Sequence, residues 1–241
     1  MTSVANTSGS VDIDRYVKDV NNQLPPLPSP LPTRHRDFVH CMPPNAPIYR
    51  KFSVFTASSI EMGNAVQWQK HMTNLLSHLP ITVCNPRRGH WNTKITPLAR
   101  DKDFKTQVEW ELTALEQVDV ICFYFDVSTK SPVSLLELGL WAGSDKIVVC
   151  CGEEYWKCGN VELTCRRYDI PFVKSFAELV PAVEKMLVEK GMVLDDKGDL
   201  QGENVHVKKE KPKKKAQLEV EIADLQKQIE ELQARFTKSR V

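Results

Sequence analysis

Several large protein classes are excluded by what this chain does not contain. No stretch of its 241 residues approaches the ~20 consecutive apolar residues that a membrane-spanning helix needs. The N-terminus, MTSVANTSGSVDIDRYVKDV, lacks the basic start and apolar run of a secretory leader. A surplus of one charge is missing too: 32 Lys and Arg stand against 31 Asp and Glu, so the bulk field favours neither nucleic acid nor a membrane surface as a partner. Glycines number only 10, and none form the Gly-rich fingerprint of a dinucleotide cofactor. The segment CCGEEYWKCGNVELTC holds four of the seven cysteines, yet it has no close CxxC pair and no histidine, which argues against zinc. The cysteines read as reduced core residues of a cytoplasmic protein, with no disulfide frame, no metal and no cofactor expected.

What is present divides into four parts. Residues 1–48 are polar and then proline-rich, with NNQLPPLPSPLPTRHRD at their centre, and this composition predicts a flexible polyproline arm. Residues 49–191 alternate strand-like and helix-like runs. KFSVFTA, ITVCN, DVICFYF, KIVVCC and IPFV read as strands, and the residues between KIVVCC and Tyr168 as irregular. DVICFYF is apolar on both faces, as a strand inside a parallel sheet must be. The alternation predicts an α/β, flavodoxin-like, doubly wound parallel sheet. Residues 192–215 form a basic linker around VKKEKPKKK, read as a solvated charge run with a nuclear address or weak nucleic-acid contact as alternatives. Over 216–237, Leu218, Ile222, Leu225, Ile229, Leu232 and Phe236 recur in steps of four and three, the pattern of a parallel two-stranded coiled coil.

One carboxylate stands out. In SPVSLLELGLWAG, Glu137 sits among Leu, Val and Trp, where burial in the charged form costs several kcal/mol unless partners are supplied. In a parallel sheet ligands bind beyond the carboxyl ends of the strands, and Glu137 lies about two turns past that edge. Two readings stand side by side. Ser134 and Glu137 have the spacing of a capping box, which makes the acid structural. Pro132 favours the first helical position, which makes Ser131 the cap and leaves Glu137 free for a ligand. Other polar groups fall at the same edge: Ser58 and Ser59 after the first strand, and Asn85, Arg87 and Arg88 after the second; Glu111, one turn beyond Gln107, suits either the same cleft or solvent. The arginines suit an anionic ligand or an exposed loop equally well.

With these residues assembled, the chain resembles the nucleoside 2-deoxyribosyltransferase family, in its transferase-like branch. VFTASSIEMGNAVQWQ, NPRRGHW, FKTQVEWELTALEQVDVICFYF and SPVSLLELGLWAG carry the resemblance over most of residues 51–173. The resemblance implies an oligomeric flavodoxin-like domain in which Glu137, at the ELG motif, attacks the anomeric carbon of a deoxynucleoside. Covalent catalysis by a carboxylate is established chemistry for sugar transfer. Glu111 would orient the sugar or assist proton transfer; Ser58, Ser59, Asn85, Arg87, Arg88 and Ser131 would bind the ligand. The chain departs from the transferase pattern at Ser131 and Glu111, where the family carries aspartates. Hydrolysis of a nucleotide N-glycosidic bond is therefore a second reading, and a non-catalytic nucleotide sensor or scaffold that assembles through the coiled coil is a third.

Overall fold

The computed structural model describes residues 17–87 and 95–202, together with Ile222, Gln226, Gln228 and Ile229. The chain forms two compact units, Met1–Lys208 and Lys209–Val241. The four described residues of the second unit are helical; the rest of the expected coiled coil lies outside the described residues.

The first unit is an α/β domain around one six-stranded, all-parallel sheet. Its strands are β1 Val39–Cys41, β2 Ser53–Ala57, β3 Thr82–Cys84, β4 Val120–Phe125, β5 Ile147–Cys151 and β6 Phe172–Val173, in the order β1-β3-β2-β4-β5-β6. Without β1, this is the flavodoxin-like order. Five helices cover the sheet: α1 Trp68–Leu75, α2 Lys102–Gln117, α3 Pro132–Trp141, α4 Cys158–Arg167 and α5 Phe176–Glu189.

The alternation of side chains along each strand explains why both faces must be covered. On β4, Ile121, Phe123 and Phe125 join the core shared with α2, α3 and α4, whereas Val120, Cys122 and Tyr124 join the core shared with α1 and α5. All six are buried. Truncating Phe123 to Ala would cost about 3–5 kcal/mol, as for any large buried aromatic. All seven cysteines are free and buried in these cores, and burial pushes the Cys150 thiol up to about 12.

Three sequence expectations are revised. The described part of the proline-rich leader is docked: β1 pairs with β3 (Val39 beside Thr82, Cys41 beside Cys84), and Phe38 and Cys41 are buried. Three residues suffice for this edge strand, too few for periodicity to reveal. The basic linker begins later than residue 192, since Met192 is buried and Leu194 bridges Leu200. His35 ties the leader to this C-terminal turn: its Nε2 faces Asp199 Oδ1 at 2.9 Å while its Nδ1 accepts the Asp37 amide at 3.0 Å. Both ring nitrogens are thereby engaged, which makes the His35, Asp37 and Asp199 cluster a strut. Finally, the segment read as irregular before Tyr168 contains α4, whose Cys158, Val161 and Cys165 turn one face into the core.

Candidate active site

The loop that leads from β4 into α3 is held from every side. Asp126, fully buried, accepts the amide and hydroxyl of Ser128 through Oδ1 (2.8 and 2.7 Å) and the amide of Val66 through Oδ2 (2.8 Å). Gln23 of the leader donates to the same Oδ1 at 2.9 Å and accepts the Val127 amide and the Tyr124 hydroxyl, each at 2.9 Å. The hydroxyls of Ser59, Thr129 and Ser131 form a triangle with sides of 2.6, 2.8 and 3.0 Å, and Ser59 Oγ also accepts the Asp126 amide. Glu61 Oε1 accepts the amides of Lys130 (2.9 Å) and Ser131 (2.6 Å), while Tyr155 and Trp156 donate to the Lys130 carbonyl. Of the six non-glycine residues with positive φ among the described residues, Ser58, Glu61 and Ser131 are gathered here. Such backbone strain persists only where surrounding contacts over-determine it.

This scaffold fixes where α3 begins. Ser131 is the N-cap, in the left-handed region at φ 45°, and Pro132 takes the first helical position. Glu137 therefore lies past the capping positions, and among the described residues its carboxylate accepts no hydrogen bond. The capping-box reading is removed. Glu137 is 9% exposed, and burial, reinforced by the nearby Glu111, pushes its pKa up to about 8. It faces a cavity of about 480 Å³. Phe55, Ile60, Phe104 and Val108 give apolar walls; Ser58, Glu61, Gln107, Glu111, Ser131 and Ser134 give the polar ones. Gln107 donates to the Glu111 carboxylate and to the Pro86 carbonyl, which fixes the second acid on α2. The Ser58 hydroxyl is buried without a hydrogen-bond partner. A deeply set carboxyl of raised pKa in such a cleft is a candidate functional position.

The structure thus brings together Ser58, Glu111, Ser131 and Glu137, with Ser59 directly behind Ser131. Asn85 and Arg87 are not among them. Arg87 is 4% exposed, and its guanidinium donates to the carbonyls of Gly63, Ala65 and Val66 at 2.9–3.3 Å. Asn85 accepts the Arg87 amide. Both border a second cavity, also about 480 Å³, on the α1 face of the sheet with Arg34, His40 and Lys70. Arg88 lies outside the described residues. Glu61 is the site residue that the sequence does not single out: it stands in the same SSIEMGN turn as Ser58 and Ser59, but nothing in its spacing reveals the backbone that swings its carboxylate onto the next loop.

Residues 51–155 match the family model described as nucleoside 2-deoxyribosyltransferase like. No curated protein matches the chain.

Proposed function

We propose, from the premise that the chain belongs through its α/β domain to the nucleoside 2-deoxyribosyltransferase-like family, that it transfers or cleaves the glycosyl group of a deoxynucleoside through a covalent intermediate on Glu137. The observation that carries this reading is the unpartnered carboxylate of Glu137, raised in pKa and facing a ligand-sized cavity at the carboxyl edge of the sheet. In the first step a Glu137 oxygen bonds to the anomeric carbon, the C–N bond breaks, and its electron pair leaves with the base, which takes up a proton. In the second, the lone pair of another base nitrogen or of water attacks the same carbon, and Glu137 departs as a carboxylate. Positive charge builds on the sugar in the transition state of each step, and a carboxylate in a poorly hydrated cleft stabilises it better than water does. Glu111, held by Gln107, would orient the sugar or move the proton.

Base release from a panel of deoxynucleosides, with and without acceptor base, tests the reading; an undiminished rate in Glu137→Ala would remove the nucleophile. Hydrolysis of a nucleotide is the second reading, favoured by Ser131, which stands on the cavity wall at the position where the transferase pattern carries an aspartate. Self-association belongs to the proposal as well: Val133, Leu136 and Leu140 turn a 60–72% exposed apolar face of α3 outwards. Light scattering on the full chain and on a chain ending at residue 210 separates this face from the coiled-coil segment as the source of any dimer.

A further inference from the structure

We infer that Glu61 makes the Glu137 cavity selective for an unphosphorylated deoxynucleoside, because its own carboxylate holds the two backbone amides that would otherwise receive a 5′-phosphate. The inference rests on the glycosyl-transfer reading and narrows its substrate. Phosphates are ordinarily bound at the start of a helix, where free N–H groups converge on the positive end of the helix dipole. At the start of α3, the amides of Lys130 and Ser131 instead converge on Glu61 Oε1. Glu61 also lines the cavity, beside Glu137 and Glu111, and no described residue of that lining is cationic. The helix end contributes about half a positive charge, which a single carboxylate already outweighs. Arg87 offers no relief, since its guanidinium is turned onto the carbonyls at 63, 65 and 66 and borders the other cavity.

A phosphate dianion entering here must either displace Glu61 from both amides or lie against it as a like charge. A 5′-hydroxyl meets neither cost. It meets the Ser58 hydroxyl, which lines the cavity, is 5% exposed and lacks a partner. One neutral hydroxyl paired with another satisfies a polar group that is otherwise buried alone. Selectivity then comes from a repulsive element as much as an attractive one.

The experiment compares kcat/KM for base release from the four 2′-deoxynucleosides and from their 5′-monophosphates, on the wild-type chain and on Glu61→Gln. Glutamine keeps an acceptor for the amides and removes the charge. The expected result is a preference for the nucleoside of about 100-fold or more, reduced by about tenfold or more in Glu61→Gln. A merely structural loss lowers both substrates together and leaves their ratio unchanged. Preference for the monophosphate, or an unaltered ratio in Glu61→Gln, overturns the inference. If neither substrate releases base, the glycosyl-transfer reading fails by itself, and calorimetry with the same pairs decides selectivity. Tighter nucleoside binding that weakens relative to the monophosphate in Glu61→Gln supports it; equal or tighter monophosphate binding, an unaltered binding ratio in Glu61→Gln, or no binding of either, overturns it.

Discussion

Two cavities of the same size, about 480 Å³ each, lie on opposite faces of the sheet and differ chiefly in the charge of their walls. The one between α2 and α3 presents Glu61, Glu111 and Glu137. The one beside α1 presents Arg34, His40, Lys70 and Arg87, with no carboxylate among its described lining. Burial and the neighbouring Arg34 hold His40 below the ordinary histidine range. In both cavities burial is the larger cause of the shift and the neighbouring charge adds to it in the expected direction: Glu111 raises Glu137, and Arg34 lowers His40. The difference teaches where a developing cation would be stabilised. The oxocarbenium-like sugar of the proposed reaction would be stabilised by the carboxylates, and volume alone does not distinguish the two sites.

The comparison breaks most sharply at Glu137. Glu137→Gln keeps the shape of the acidic cavity and removes the proposed nucleophile, so base release should fall by about a thousandfold or more, read by chromatography. On the proposed mechanism only the ionised form attacks, and with a pKa of about 8 roughly one molecule in ten is ionised at pH 7. The kcat/KM profile should therefore climb nearly tenfold per pH unit below about 8 and level off above it. A profile flat from pH 6 to 9 would contradict this.

On the basic side, Arg87 carries a structural load. Arg87→Met leaves a set of buried carbonyls without donors and should cost about 2–4 kcal/mol in denaturant unfolding, while the nucleoside-to-monophosphate ratio stays unchanged. A shifted ratio at unaltered stability would return Arg87 to the ligand. The stability of Glu137→Gln sharpens the electrostatic side of the comparison. Because the native pKa of Glu137 is raised from 4.5, the folded state holds a proton that the unfolded chain has already released between these values. This group's contribution to stability is full below pH 4.5 and is lost as pH rises through about 8, by about 1.4 kcal/mol per pH unit. The melting temperature of Glu137→Gln should accordingly pull ahead of the wild type from pH 5 to 8, with no further gain above. The smallest effect is expected at Gln23, which joins the leader to the end of β4. Gln23→Ala should cost about 1–2 kcal/mol and raise hydrogen exchange at Val127, whose amide it receives.

How legible all this was in the sequence varies with the kind of signal. DVICFYF announced a doubly covered strand because both of its faces are apolar, and that one strand anchors the sheet. Pro132 correctly set the start of α3 and, with it, the place of Glu137 beyond the cap. α4 is hard to read from the sequence although Cys158, Val161 and Cys165 stand three and four apart, because two glycines and several charged residues interrupt the apolar pattern around them. β1 was hidden by its length and by the prolines before it. Arg87 and Glu61 show a harder limit. An arginine that satisfies carbonyls and one that awaits a phosphate read alike in a sequence. The carboxylate of Glu61 reaches the Lys130 and Ser131 amides only through a left-handed backbone that no residue type announces.

The most direct measurement is a search for the glycosyl-enzyme itself. Protein incubated with a 2′-deoxynucleoside, quenched in acid and digested, should carry a deoxyribosyl adduct on the peptide containing Glu137, and Glu137→Gln should carry none. Base release that proceeds with no adduct on that peptide and at the same rate in Glu137→Gln would contradict the account.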